Sequence, residues 1–132
     1  MPLSRSYLLI EMSYLQPPIN FDDAIQNTTK HQYFPILAHP ERYAFLHLNS
    51  SKFMKFKKNG ILLQLNLLSL GQFYGKDVQK KAYKLLQSGL IDYVASDVHN
   101  LQQLKSIKEL QLSNNLLKLL VPVIEKTIYE FY

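Results

Sequence analysis

Residues Gln87–Asn100 read QSGLIDYVASDVHN, and this stretch decides the fold. A polar helix end stops at Gly89, a residue that enters the left-handed region without a Cβ penalty, and an apolar run follows at once. Lys58–Leu67, KNGILLQLNL, repeats the order around Gly60. Helix, glycine, strand, twice over, is the grammar of a repeating βα unit. Working outward, four apolar runs are expected as strands: Tyr7–Ser13, Phe34–His39, Ile61–Leu67 and Asp92–Val98. Each is nearly continuous in apolar residues, the pattern of a parallel sheet or barrel covered on both faces.

Between the runs lie helical segments. Asn20 is placed to cap a helix through Lys30, with Asp23 favouring its positive end. Asn49–Ser51 starts another that runs to Lys58, and Lys76–Ser88 is a third. Beyond the fourth strand, Leu101–Leu112 and Asn114–Tyr132 are apolar at helical spacing, and Pro122 is expected to kink the latter or restart it. No linker, low-complexity segment or domain boundary interrupts residues 1–132, so one α/β domain is expected.

The chain of 132 residues can bury a sizeable core, and 47% hydrophobic with 19% charged residues is a globular composition. The absence of cysteine excludes disulfides, thiolate metal ligands and cysteine-based phosphatase chemistry, and fits a cytoplasmic location. Met1–Arg5 is not followed by the apolar core of a signal peptide, and Leu116–Ile124, broken by Lys118 and Pro122, is too short to span a bilayer. The net charge of +5 comes from lysine clusters (Lys52, Lys55, Lys57, Lys58; then Lys76, Lys80, Lys84), read as solvated helix faces. No nucleic-acid-binding signature accompanies them. The Asn27-Thr28-Thr29 sequon is read as chance, and His31 and His47 as structural or surface residues.

In α/β sheets and barrels, sites form where strands hand over to loops at their C-terminal ends. Here those positions carry Glu11, His39, Gln64 with Asn66, and Asp97 with His99. Asp97 and His99, two apart, would project from one side of a strand. Glu11 inside an apolar strand would be a costly buried carboxylate in need of a charge or metal partner. Carboxylates and imidazoles from separate strands suit zinc, manganese or iron, and such ions polarise a phosphoryl group and acidify bound water. Arg42, just beyond His39, could clamp a phosphate oxygen with its planar fork. Each residue also has a plainer reading: His39 as a hydrogen-bonded structural histidine, and SDVHN as the cap of the next helix through Asn100.

With LLIEMS, PILAHPERY, LLQLNLLSL and YVASDVHN in this order, the chain resembles the polymerase-and-histidinol-phosphatase (PHP) type of bacterial protein-tyrosine phosphatase found with capsular and exopolysaccharide synthesis genes. The resemblance implies the C-terminal part of a distorted seven-stranded βα barrel, with about four parallel strands and flanking helices present here. It implies divalent ions, usually manganese, with Glu11, His39, Asp97 and His99 at metal-ligand positions and Arg42 at the phosphate-contacting arginine. The implied substrate is the tyrosine-rich tail of a bacterial tyrosine kinase. Two departures stand out. Leu104 occupies the place of a second arginine, with Lys105 as a partial substitute. Nothing before Glu11 supplies the family's opening His-x-His pair, so the full ion cluster is not expected here. Association across an open barrel edge, or a missing half supplied elsewhere, is the corresponding expectation. A non-catalytic, partner-binding remnant and a phosphatase of small phosphate esters are the alternatives.

Overall fold

The computed structural model describes residues 6–16, 18–47 and 51–132. Strands β1 (Tyr7–Ile10), β2 (Phe34–Ala38), β3 (Leu62–Asn66) and β4 (Tyr93–Ala95) form one sheet in the order β1-β2-β3-β4. All neighbours are parallel, with Ile10 beside Leu37, Leu37 beside Leu63, and Leu65 beside Val94. Helices α1 (Phe21–Lys30), α2 (Ala44–His47), α3 (Ser51–Lys58) and α4 (Lys76–Gln87) lie in the crossovers; α5 (Leu101–Lys108) and α6 (Asn114–Phe131) follow β4. Of the expectations that fall elsewhere, Met1–Arg5 and the helix start at Asn49 and Ser50 lie outside the described residues.

The two glycine junctions form as read. Gly60 N–H donates to Lys57 O and Ile61 N–H to Phe56 O, each at 3.0 Å, with Gly60 at φ +79°. Gly89, at φ +69°, repeats the pattern on Leu86 O, and Leu90 N–H reaches Leu85 O. These paired bonds satisfy the last carbonyls of α3 and α4 and aim the chain into β3 and β4. Helix α1 ends the same way without glycine: Gln32 takes φ +61° while Gln32 and Tyr33 N–H bond to Thr29 O and Thr28 O. That junction left no trace in composition.

Leu37, Leu63 and Leu65 of the central strands are fully buried in one cluster with Phe53, Phe56, Leu85, Leu86, Leu116 and Leu120. The edge strand β1 departs from the expected two-sided burial, since Leu8 and Leu9 are exposed. A buried anchor joins the base of the sheet. Asp92 accepts the Leu63 N–H at 2.9 Å and pairs with Lys57 and, at 3.3 Å, with Lys126 of α6.

Several boundaries differ from expectation. Each strand ends earlier than its apolar run, because side-chain bonds and positive φ values take over at the rim. Asn66 accepts the Leu68 N–H at 2.9 Å and starts a 3-10 turn over Leu67–Leu70. His39 (φ +36°) and Asp97 (φ +50°) turn the chain out of β2 and β4. Asn20 precedes α1 but makes no side-chain cap bond. Helix α5 stops at Lys108, not Leu112. Helix α6 runs unbroken through Pro122, held at Leu116 and Leu120 before it and by Val123 and Ile124 after it.

Candidate functional site

The rim at the C-terminal ends of the strands gathers most of the expected residues. A cavity of about 100 Å³ is lined by Glu11, His39, Asn66 and Asp97 together with Leu9, Ala38, Gln64, Leu65 and Ala95. Thus the loops after β1, β2 and β4 bring Glu11, His39 and Asp97 to one place. The larger groove of about 680 Å³ between the sheet and α6 shares Asp97 but is lined mainly by apolar and aromatic side chains, and none of the other candidate ligands reaches it.

Glu11 is a correction to the sequence reading. It lies one position beyond β1 and its side chain is 60% exposed, so no burial penalty demands a partner for it. It nevertheless faces His39, with Nε2–Oε1 at 3.5 Å. His39 itself is buried, and among the described residues its Nδ1 has no hydrogen-bond partner. Burial first, then the Arg42 charge, holds the imidazole below its ordinary range against the opposing pull of Glu11 and Asp97. A neutral ring with a free lone pair is the form that binds a metal ion.

Asp97 and His99 lie beyond β4, so strand alternation does not set their directions. The left-handed turn at Asp97 does, and His99 Nδ1 sits 2.8 Å from the Asp97 carbonyl and 3.6 Å from Oδ1. His99 is exposed and does not line the cavity. The capping reading also holds for this segment, because Asn100 accepts the Gln103 N–H and Gln103 Oε1 accepts the His99 N–H. Two of the three non-glycine residues with positive φ are thus His39 and Asp97, among the described residues. Strained backbone of this kind persists where surrounding structure holds it, and gathers at functional sites.

Arg42 arrives on the 3-10 turn Pro40–Arg42 and pairs with Asp97 Oδ2 at 3.5 Å. Its guanidinium lies 4.5 Å from the Tyr14 ring centre and 4.1 Å from that of Tyr74. Beneath it, Glu41 is wholly buried; Oε1 accepts the Asn66 N–H at 3.1 Å, and Asn66 Nδ2 donates to Asp97 Oδ2 at 3.1 Å. Burial pushes the Glu41 carboxyl up to about 7, opposed by Ser69, its own and Asn66's backbone N–H groups, and Arg42. Among the described residues, neither Glu41 Oε2 nor the Ser69 hydroxyl has a hydrogen-bond partner. Glu41, Tyr14 and Tyr74 were missed as site residues. Only the acid inside PILAHPERY could have drawn notice.

The remaining histidines are structural, as read. His31 Nδ1 lies 2.7 Å from Asn27 O at the end of α1, and His47, in short α2 rather than a loop, bonds the Glu41 carbonyl at 2.6 Å. Lys105, expected as a partial substitute for a second arginine, pairs with Glu109 at 3.8 Å and does not line the cavity.

Carboxylate oxygens beside a neutral imidazole are a donor set that fits a divalent ion of borderline hardness. The side chains as they stand fall short of a complete shell: among the described residues, no three His, Asp or Glu groups converge closely enough to enclose an ion.

A parallel βα sheet with acid, imidazole and guanidinium groups at its carboxyl rim is an α/β architecture whose rim can bind a cation or an anionic ligand. Residues 3–115 match the family described as capsular polysaccharide synthesis, CpsB/CapC, and the chain belongs to that family. It is 30% identical over 96 residues to the tyrosine-protein phosphatase YwqE of Bacillus subtilis, covering 73% of this chain and 38% of that one. It is 32% identical over 100 residues to the tyrosine-protein phosphatase CpsB of Streptococcus pneumoniae, covering 72% and 41%. The chain therefore spans well under half the length of these curated relatives. In three dimensions it is similar to a structure from the crystallographic description of YwqE and CpsB as unique metal-dependent tyrosine phosphatases. The TM-score is 0.69 at 25% identity, over 93% of this chain and 54% of the other. No helix among the described residues is long and apolar enough to cross a membrane.

Proposed function

We propose that this chain is the C-terminal portion of a metal-dependent protein-tyrosine phosphatase, acting on phosphotyrosine of a bacterial tyrosine kinase in capsule or exopolysaccharide synthesis. The observation that carries the reading is the meeting of Glu11, His39 and Asp97 at one cavity, with Arg42 paired to Asp97 at its rim. Family membership and the metal-dependent relatives support it. The four parallel strands would then be part of a seven-stranded PHP-type barrel.

In this reading Glu11, His39 and Asp97 hold a divalent ion, manganese for preference, and His99 adds a donor from the solvent side. The bound ion would supply Lewis acidity toward the phosphoryl oxygens. Arg42 binds the non-bridging oxygens and orients the ester, and Asn66 keeps Asp97 turned toward the cavity through the 3.1 Å bond. Burial of His39 keeps its ring neutral and excludes water from one wall of the cavity.

The test is hydrolysis of a phosphotyrosine peptide and of small phosphate esters by the purified chain, with and without manganese, and by Asp97→Ala. The expected result is manganese-stimulated turnover of the peptide that falls on the order of 100-fold or more in the variant. Turnover unchanged by Asp97→Ala defeats the site assignment. Preference for small esters would reassign the substrate. Less than one ion bound per chain, with no hydrolysis, would favour a partner-binding remnant.

A further inference from the structure

We infer that Tyr14 and Tyr74 are positioning residues, two rings that hold the Arg42 guanidinium as a pre-set fork for a phosphoryl group. The ligand rests on the phosphatase reading above; the clamp rests on geometry alone.

Three loops build it. Tyr14 follows β1, Arg42 follows β2 and Tyr74 follows the 3-10 turn after β3. The guanidinium carbon lies over both rings, at 4.5 Å and 4.1 Å from their centres, inside the distance at which an aromatic face attracts a cation. Each ring is itself held. The Tyr14 ring lies 5.6 Å from His39 and 5.8 Å from the buried Tyr43, and the Tyr14 carbonyl accepts the Ala44 N–H at 3.1 Å. Tyr74 meets Phe73 edge-on at 4.9 Å, and Gln103 Nε2 lies 3.4 Å from its hydroxyl. Gln103 also accepts the His99 N–H, so the clamp is continuous with the β4 rim.

An arginine has several rotatable bonds, and ordering them at the moment of binding costs affinity. Phosphate recognition by a guanidinium depends on the plane and direction of its fork. Two rings that fix the plane beforehand remove that cost. Asp97, at 3.5 Å, fixes the direction from one side only. Tyr14 is 40% exposed, so it is not explained as core packing. Arg42 is the one arginine among the described residues, so its orientation carries correspondingly more of the anion's recognition.

The test follows the Arg42 side-chain Nε–H by NMR in the whole chain while inorganic phosphate is titrated without added metal. It compares wild type with Y14F, Y74F, Y14L and Y74L, and Arg42→Lys assigns the resonance. Ring currents should displace the resonance in wild type and in both phenylalanine variants, and phosphate should move it further. In each leucine variant it should return toward the free-arginine position, with phosphate bound about tenfold more weakly, the size of one partly desolvated cation–π contact. Leucine variants identical to wild type in both readouts would overturn the clamp, as would phosphate that leaves the wild-type resonance in place. Arg42 responding to phosphate in a chain that hydrolyses no aryl phosphate would sink the phosphatase reading and keep the clamp. Hydrolysis with an unmoved Arg42 would do the reverse.

Discussion

Replacing Glu41 by glutamine should stabilise the protein at pH 8 and leave it nearly unchanged at pH 4. Glu41 has no exposed surface, and burial carries its carboxyl from 4.5 to about 7. The native state therefore keeps a proton that the unfolded chain releases between those values. Stability that is full below pH 4.5 is lost as pH rises through about 7. The interval is 7 − 4.5 = 2.5 units. At about 1.4 kcal/mol per unit, the ionised carboxylate weakens folding by about 3.5 kcal/mol above pH 8. Glutamine retains an oxygen for the Asn66 N–H, now 3.1 Å from Oε1, and does not ionise. Urea unfolding of both proteins at pH 4, 6 and 8 gives the answer. The curves should converge in acid and separate above neutrality, with the wild type supplying the slope. Two parallel stability–pH profiles would refute the reasoning, because the buried carboxyl would then titrate as it does in the unfolded chain.

Asp92→Ala removes the acceptor of Leu63 N–H and the shared partner of Lys57 and Lys126. The lysines are partly exposed and can return to water, so the cost should be about 2 kcal/mol, read as a lower thermal midpoint. No change would mean that apolar contacts alone hold α6. The helix junctions give a paired test by denaturant unfolding. Gly89→Ala, with open space around the added Cβ but φ at +69°, should cost about 1 kcal/mol, while Gln32→Gly at φ +61° should gain up to that amount. Effects of the same sign at both sites would contradict the backbone-strain argument.

The sheet was legible because its signals are local. A glycine that must turn left-handed marks the end of α3 and of α4, and the apolar run after each has nowhere to go but a covered strand. The same rule failed at Gln32, where a residue other than glycine bears the strain, and at Pro122, where packing of α6 on both sides of the proline outweighs its lost hydrogen bond. Strand lengths were overread, since hydropathy does not register the side-chain bonds of Asn66 or the turns at His39 and Asp97.

For the site, the sequence alone was enough to name Glu11, His39, Arg42, Asp97 and His99 as candidates, because parallel strands deliver their last residues to one rim. What only the tertiary structure decided is how those groups stand. Glu11 is exposed, His99 is turned outward, Glu41 is buried beneath the rim, and Arg42 lies between Tyr14, Tyr74 and Asp97. Those relations join loops far apart in the chain, and electrostatics and ring packing between such loops have no period for a sequence to display.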